Sequence, residues 1–200
     1  MILIPLIDRS KLVSKKNPDA IFLALLSGNQ MGLFFPYFGF DNMLNEFEAI
    51  TRLLDENNIE YKIHEHEPVY HAEDAAKVRG FDLKSGVKSL VFRIEKEGFN
   101  DFILVLVSGN RRVDNKKLAE IVKAKNVKLA SPEEVVEKTG CEIGSCHPFG
   151  TLTGMKTYMD DRILENKFVA FNACLHSMSI TMDPKDIVKI VDPVICDLSK

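Results

Sequence analysis

The fold of this chain is decided by two apolar stretches, KSLVFRI at residues 88–94 and FILVLV at residues 102–107. The second is an unbroken apolar run, which is typical of a strand buried on both faces at the centre of a sheet. A short polar segment at residues 95–100 separates the two stretches. We therefore predict two adjacent strands, Lys88–Ile94 and Phe102–Val107, joined as a hairpin.

Further strands and helices are predicted along the sequence on both sides of this hairpin. Short strand patterns lie near residues 61–64, 127–129, 156–159, 167–171 and 177–182, and helical patterns lie near residues 43–56, 72–79, 114–122 and 132–139. Asp114 can cap one helix, Ser131 and Glu134 form a capping box ahead of another, and Gly80 and Gly140 can end helices. Many short strands with a few short helices predict an α+β fold with a mixed, strongly curved sheet that curls toward a barrel.

The first 42 residues lack the patterning of the rest of the chain. An apolar run at residues 21–26 is short, SGNQ at residues 27–30 interrupts it, and no A-x-A cleavage site follows. We interpret residues 1–42 as an extension, either poorly ordered or the result of an upstream start, with Met43 as the natural first residue. Asp41 or Asn42 could then cap the first helix of a domain over residues 43–200.

Composition limits the classes of function that this chain can have. Its 200 residues are 46% hydrophobic and 28% charged, which suits one globular domain with a core. A net charge of −3 excludes a strongly basic coat, so any RNA contact must be a local patch. No apolar run is long enough to span a bilayer. We expect neither a membrane nor DNA as a partner.

Four cysteines lie in the C-terminal part of the chain: Cys141, Cys146, Cys174 and Cys196. Their spacing is not that of a secreted disulfide framework, and a domain of this size needs no disulfide, so we expect a reducing, cytoplasmic compartment. An alternative is a zinc site built from the two Cys/His clusters at residues 141–147 and 174–176. Because C-x4-C followed by C-x-H is not a usual ligand spacing, we expect no metal and no other cofactor.

A glycine-rich loop, a lysine and a histidine are the candidate functional groups. Four of the eleven glycines fall within residues 140–154, where backbone N–H groups could hold a carboxylate, a phosphate or a developing oxyanion. Lys88 could place a cation at the mouth of a pocket, and His176 could hydrogen-bond a ligand. Each feature also has an ordinary explanation: turns between strands, a solvated lysine at a strand end, and a surface histidine.

Motifs for the familiar hydrolytic and nucleotide-binding chemistries are missing from the sequence. It has no G-x-S-x-G, P-loop or G-x-G-x-x-G, and the H-x-E at residues 71–73 is not followed by the P-C-x-x-C of a zinc deaminase. Any ester hydrolysis would therefore depend on backbone donors, positioned water and the substrate's own groups.

Residues 111–128 carry the main concentration of charge. Seven basic residues against two acidic ones give this segment a charge of +5 in a chain of −3. The segment is either a solvated helix face or a local patch that binds phosphates. In the second case the phosphate-binding residues would be Arg111, Arg112, Lys116, Lys117 and Lys123.

Several segments, taken in order, resemble the YbaK/prolyl-tRNA-synthetase-associated editing family. They are NIEY at residues 58–61, HEPVY at 66–70, VKSLV at 87–91, LVSGNRRVD at 106–114, GSCHPFG at 144–150, YMD at 158–160, and SI at 179–180 with PKDI at 184–187. Each match is weak alone, but the ordered set is specific. It covers the chain from about Met43 to the C-terminus and implies the fold of that family.

The resemblance implies hydrolysis of the ester between a wrong amino acid and tRNA, often the tRNA for proline. Lys88 would be the catalytic residue, and the G-x-x-x-P loop from Gly144 to Pro148 would hold the aminoacyl group through its backbone. The substrate's own hydroxyl or thiol is thought to assist in this family, in agreement with the missing triad. The matching segments also imply substrate-binding roles for Ser145, His147, Phe149, Asn110, His176 and Asp160.

The expected function is thus that of a trans-acting deacylase whose partners are the acceptor end of aminoacyl-tRNA and a synthetase. A pocket separates amino acids that differ by a methylene by only about 1–3 kcal/mol, so a second, narrow site that admits alanine or cysteine would clear such errors. The alternative is a catalytically inactive module of the same fold that binds tRNA or a synthetase. Departures from the family pattern at His71, Cys146-His147 and Ala173-Cys174 leave the specificity open.

Overall fold

The computed structural model describes residues 38–96 and 98–200. The helices are α1 (Phe38–Glu56), α2 (Ala72–Arg79), α3 (Asn115–Val122), α4 (Pro132–Thr139), α5 (Gly150–Thr153) and α6 (Pro184–Val191). The strands are β1 (Tyr61–Glu65), β2 (Val87–Lys96), β3 (Phe99–Ser108), β4 (Asn126–Leu129), β5 (Lys156–Asp160), β6 (Val169–Asn172), β7 (Met178–Met182) and β8 (Val194–Cys196). Within this range no helix has both the length and the apolar character needed to cross a bilayer. The prediction for the N-terminal extension falls on residues that lie outside this range, apart from residues 38–42.

The hairpin predicted from the two apolar stretches is confirmed. β2 and β3 pair antiparallel over their whole length, from Val87 opposite Ser108 to Lys96 opposite Phe99. They lie in a five-stranded sheet with the order β4-β2-β3-β5-β8, in which β3 pairs parallel with β5. Because β3 is the middle strand, its apolar run at residues 103–107 is at most 2% exposed.

A second, three-stranded sheet has the order β1-β7-β6 and is antiparallel throughout. A single parallel bridge between Gly86 and Ala170 connects it to the larger sheet. The α+β class with a mixed sheet is therefore confirmed, whereas one strongly curved, barrel-like sheet is not found. Among the described residues the strands divide between two sheets and no barrel closes, because the short strand β6 meets the larger sheet only at that bridge.

One face of the larger sheet packs against α3 and forms a hydrophobic cluster. Its buried members are Phe92, Ile94, Ile103, Val105, Val107, Leu118, Val122, Val127, Tyr158 and Leu198. Full burial of one such aliphatic or aromatic side chain stabilises the fold by about 1.5–3 kcal/mol. The cluster therefore fixes the position of β2, from whose first residues the candidate site is built.

Helix ends follow the local signals in most cases. The Asp114 carboxylate accepts hydrogen bonds from the backbone N–H groups of residues 116 and 117, and Ser131 with Glu134 forms the complete capping box. Gly80 and Gly140 both adopt the left-handed conformation at the ends of α2 and α4. The predicted cap at residues 41–42 is wrong, because α1 begins at Phe38. The sequence did not predict α5 or β8.

The cysteines differ from expectation, because Cys141 and Cys174 form a disulfide. Cys141 directly follows the Gly140 cap of α4, and Cys174 lies in the β6–β7 turn with a φ of 64°. The bond ties the start of the glycine-rich loop to that turn. The cysteine spacing did not predict this bond. Cys146 and Cys196 are free thiols.

Candidate functional site

A cavity of about 180 Å³ lies where α2, the start of β2, the glycine-rich loop and the end of β6 meet. Lys88 and Gly144, the two residues on which the sequence prediction depended most, both line it. Pockets for drug-sized ligands usually measure about 300–1,000 Å³, so this cavity suits a small group. The structure thus brings a cation and a glycine backbone to one small hollow.

Lys88 is held at the beginning of β2, and its ammonium donates to the Arg111 carbonyl. The side chain is partly buried, and no ion pair forms with it among the described residues. Burial lowers the pKa of Lys88, Glu73 opposes that shift, and Arg112 adds to it. A cation that is partly desolvated and not neutralised interacts more strongly with a nearby carbonyl oxygen than a solvated one does.

Gly144 lies in the left-handed region, with a φ of 87°. A Cβ at this position would also lie 3.4 Å from both the His176 ring and the Tyr70 carbonyl. Glycine is therefore the residue that this turn requires. Within the described residues the Gly144 N–H donates no hydrogen bond, whereas its carbonyl accepts one from the Asn172 amide at 2.6 Å.

A polar network behind the cavity was not predicted from the sequence. Arg79, the last residue of α2, donates through Nη2 to the side-chain oxygen Oδ1 of Asn172 and through Nε to Ser179 Oγ at 2.8 Å. His66 Nε2 lies 2.6 Å from the same hydroxyl. Desolvation lowers the pKa of Arg79 to about 10. Arg79 and Asn172 line the cavity, and together they orient the Gly144 carbonyl.

Nothing in the local sequence pointed to this network. A basic residue in the last turn of a helix is ordinary, and an asparagine at a strand end usually signals a turn. Their importance arises only because α2, β6 and β7 meet in the folded chain.

His176 lies beside the glycine loop without lining the cavity. Its Nδ1 lies 3.0 Å from the Val69 carbonyl oxygen, and its Nε2 lies 3.3 Å from a Glu142 carboxylate oxygen. The ring packs against Tyr70, with the two centroids 4.3 Å apart. These contacts place His176 as a support for the wall of the site.

Most of the G-x-x-x-P loop faces the protein interior. Ser145 is buried and its hydroxyl donates to the Glu142 carbonyl. His147 is 2% exposed, and its Nδ1 accepts from the Phe149 N–H. Burial lowers the pKa of His147 to about 4, which keeps the ring neutral near pH 7. Pro148 and Phe149 are also buried and do not line the cavity. Of the loop residues given a role by the sequence, only Gly144 lines the cavity.

Asn110 and Asp160 also lie outside the cavity wall. Asn110 is exposed, next to Gly109, which does line the cavity. Asp160 is fully buried at the end of β5, and its carboxylate accepts from the N–H groups of Arg162 and Leu198. The geometry gives Asp160 a structural role in joining β5 to the C-terminal segment, in place of the predicted substrate contact.

Ser89 and Cys146 are among the other polar residues that line the cavity. Ser89 follows Lys88 on β2, and its Oγ is buried with no hydrogen-bond partner among the described residues. Cys146 is 7% exposed, and burial raises the pKa of its thiol to about 11. A neutral thiol is a poor nucleophile. Cys146 therefore shapes the wall and does not attack a substrate.

The alternative of a zinc site is not supported by the geometry. Cys141 and Cys174 are bonded to each other. Over residues 38–96 and 98–200, no group of three or more His, Cys, Asp or Glu side chains could hold a metal ion.

The basic residues beyond β3 fall into two groups. Arg111 and Arg112 lie next to the cavity, because the Arg111 carbonyl accepts from Lys88. Lys117 Nζ is 2.7 Å from an Asp197 carboxylate oxygen and 3.1 Å from the Ser199 carbonyl. Lys116 and Lys123 are exposed on and after α3. The charge of Lys117 is therefore partly neutralised. Of these basic residues after β3, Arg111 and Arg112 lie nearest the cavity.

Comparison with known families identifies the chain. Residues 66–190 match the model of the aminoacyl-tRNA editing domain. This chain belongs to the aminoacyl-tRNA editing domain family, and the resemblance recognised in the sequence is confirmed.

Relatives of two kinds carry this domain. A protein of Escherichia coli named multifunctional Ser/Thr-tRNA deacylase ProXp-y is 29% identical over 147 residues, which cover 73% of this chain and 88% of that protein. A proline–tRNA ligase of Caldicellulosiruptor saccharolyticus is 28% identical over 123 residues, covering 60% of this chain and 20% of the ligase. A crystal structure described as a candidate trans-editing enzyme for prolyl tRNA synthetase matches with a TM-score of 0.67 and 28% identity, covering 78% of this chain and 97% of that one.

The Asn172–Gly144 hydrogen bond gives a test of how the loop is held. Asn172→Asp keeps an acceptor for Arg79 but replaces the donor with an oxygen that repels the Gly144 carbonyl. Losing a hydrogen bond costs about 0.5–1.5 kcal/mol, so we expect the Ser145 amide, which donates to the Glu142 carbonyl, to exchange hydrogen up to roughly tenfold faster. Hydrogen exchange followed by mass spectrometry measures this. Asn166→Asp, which removes a donor to Ile163 away from the cavity, is the matched control. Unchanged exchange in Asn172→Asp would contradict the role.

Proposed function

We propose that this protein hydrolyses the ester that links a small, wrongly attached amino acid to the 3′ end of a tRNA. The main support for the proposal is the small cavity that Lys88 and Gly144 both line. Membership of the aminoacyl-tRNA editing domain family supports the substrate class. The E. coli relative is named a tRNA deacylase, which supports the reaction type.

Lys88 is the proposed catalytic residue because its charge is available to an ester carbonyl. In the reaction, the oxygen of a water molecule bonds to the carbonyl carbon, and negative charge develops on the carbonyl oxygen. The Lys88 ammonium, assisted by the Gly144 N–H, stabilises that charge. The attacking water gives up a proton, the bond from the carbonyl carbon to the ribose oxygen breaks, and the ribose oxygen takes up that proton. Free amino acid and tRNA are the products.

Among the described residues, the side chains at the cavity do not supply an activated nucleophile. Cys146 is a neutral thiol with a raised pKa, and His147 is buried behind the loop. We therefore assign attack to water, with the substrate's own polar groups positioning or activating it. The positive field of Lys88 and Arg79 lowers the cost of forming the anionic intermediate.

The volume of the cavity supports a small amino acid. About 180 Å³ accommodates alanine, cysteine or serine, and these side chains differ too little in size for volume alone to separate them. The sequence prediction named alanine and cysteine. The relative named for Ser/Thr-tRNA adds serine, and the unpartnered Ser89 hydroxyl is a candidate contact for a polar side chain.

The proposed macromolecular partner is the acceptor end of aminoacyl-tRNA, with the tRNA for proline as the first candidate. Support comes from the proline–tRNA ligase that contains a related segment. We propose Arg111 and Arg112 as the phosphate contacts nearest the ester, with Lys116, Lys117 and Lys123 farther along the backbone. A synthetase as docking partner and a cytoplasmic location follow from the same proposal.

Replacing Lys88 tests the catalytic assignment. We expect Lys88→Ala to reduce deacylation of mischarged tRNA by about 10²–10³-fold, the effect of removing one stabiliser of a developing oxyanion. Lys84→Ala, an exposed lysine just ahead of β2, is the matched control and should keep wild-type activity. The assay measures release of amino acid from alanyl-, cysteinyl-, seryl- and prolyl-tRNA.

Two outcomes of this assay would count against the proposal. Full activity of Lys88→Ala with an unchanged circular dichroism spectrum would remove Lys88 from the mechanism. A wild-type protein that binds tRNA but hydrolyses none of the four substrates would favour the alternative of an inactive binding module.

Arg112 tests the assignment of the phosphate contacts. It is exposed and close enough to affect Lys88. We expect Arg112→Ala to raise KM with little change in kcat, and to reduce the slope of log affinity against log salt by about 1, because one phosphate contact is lost. Lys128→Ala, an exposed lysine on β4, should leave both quantities unchanged. An unaltered salt slope in Arg112→Ala would remove this residue from the RNA contact.

A further inference from the structure

The rim of the cavity carries two exposed apolar side chains. Tyr70 is 62% exposed and Ile143 is 52% exposed, and both line the same cavity as Lys88. An isolated exposed apolar residue needs no explanation, but two of them together on the rim of a site suggest a contact surface. Tyr70 is the larger and has a flat ring.

Tyr70 is held in position by a group of contacts. Its ring packs on the His176 imidazole at a centroid distance of 4.3 Å. The backbones are linked as well, because the Val69 N–H donates to the His176 carbonyl at 3.0 Å while His176 Nδ1 contacts the Val69 carbonyl. Glu142 fixes the other ring nitrogen. The Tyr70 ring is therefore supported from behind, and most of the residue stays open to solvent.

The chemistry of the substrate indicates what this ring would contact, and this step rests on the proposed function. The amino acid is esterified to the ribose of the last nucleotide. With the aminoacyl group in the cavity and its carbonyl at Lys88, that ribose lies at the cavity mouth. The base attached to the same ribose must then lie on the rim. A single-stranded terminal base has a free face, and aromatic side chains are its usual stacking partners.

We propose that Tyr70, supported by His176, is the stacking platform for the 3′-terminal base of the RNA. The cationic groups Lys88, Arg111 and Arg112 lie on β2 and in the turn after β3, so the ester and phosphates have partners of their own. The platform adds affinity without reading the rest of the sequence, because every base has a π face. It also fixes the ribose, and thereby the ester, relative to Lys88.

A fluorescent terminal base tests the platform without depending on hydrolysis. The probe is an uncharged RNA microhelix of the acceptor stem whose 3′-terminal adenine is replaced by 2-aminopurine, titrated with the full chain. Stacking on Tyr70 should quench its emission. Tyr70→Phe should keep most of the quenching because it keeps the ring, and Tyr70→Ala should lose it. Phe99→Ala removes an exposed aromatic residue that is 56% exposed at the start of β3, and it should behave as wild type.

Affinity and kinetic measurements give the size of the contribution that stacking on Tyr70 makes to RNA binding. Base–aromatic stacking contributes enough that Tyr70→Ala should raise the Kd of the microhelix, and the KM for mischarged tRNA, by about 5- to 150-fold. Wild-type quenching and affinity in Tyr70→Ala would overturn the platform. If Lys88→Ala is inactive while Tyr70→Ala is unaffected, the platform alone fails and the deacylase assignment stands. If wild-type protein does not deacylate but Tyr70-dependent quenching persists, the deacylase assignment fails and the base-binding surface stands.

Discussion

A guanidinium without a carboxylate partner holds the site together. Among the described residues Arg79 makes no ion pair, and its hydrogen bonds go to the neutral oxygens of Asn172 and Ser179. Desolvation of a charge is costly, and the cost is visible in the pKa of Arg79, lowered to about 10. The bonds to neutral oxygens offset part of that cost and leave positive charge at the cavity. They also orient Asn172, whose amide fixes the Gly144 carbonyl.

This arrangement explains why the cavity is small and preformed. The two sheets are joined by a single bridge at Gly86 and Ala170, which leaves a gap between α2, the start of β2 and the end of β6. The glycine loop covers part of that gap, and it is tied by the Asn172 bond and by the Cys141–Cys174 disulfide. In a preorganised site, charge stabilisation needs no rearrangement during the reaction. A chain of net charge −3 can still present local positive charge to RNA in this way.

The parts of the fold that could be predicted from sequence are those with local causes. The apolar run at residues 102–107 identified the central strand, and Ser131 with Glu134 identified the start of α4. The division into two sheets was not predictable, because it depends on where β6 meets Gly86 across about 80 residues of sequence. The strand pattern alone could not distinguish one curved sheet from two.

The residues of the site also divide into those that the sequence predicted and those that it did not. Lys88 and Gly144 were found through the family resemblance, and they do share the cavity. The family resemblance also gave substrate-binding roles to Ser145, His147, Phe149 and Asp160. All four are buried in the protein interior, and sequence does not show which side of a loop or strand end faces the cavity. Arg79, Asn172 and Tyr70 were missed because only tertiary contacts give them a role.

The most direct test of the central claim is a crystal structure of the full chain with a non-hydrolysable analogue, alanine or serine joined by an amide to the 3′ position of adenosine. The account predicts the amino-acid side chain in the cavity beside Gly144, with the carbonyl oxygen about 2.7–3.2 Å from Lys88 Nζ. An analogue bound with its carbonyl beyond hydrogen-bond reach of Lys88, or bound outside the cavity, would contradict it.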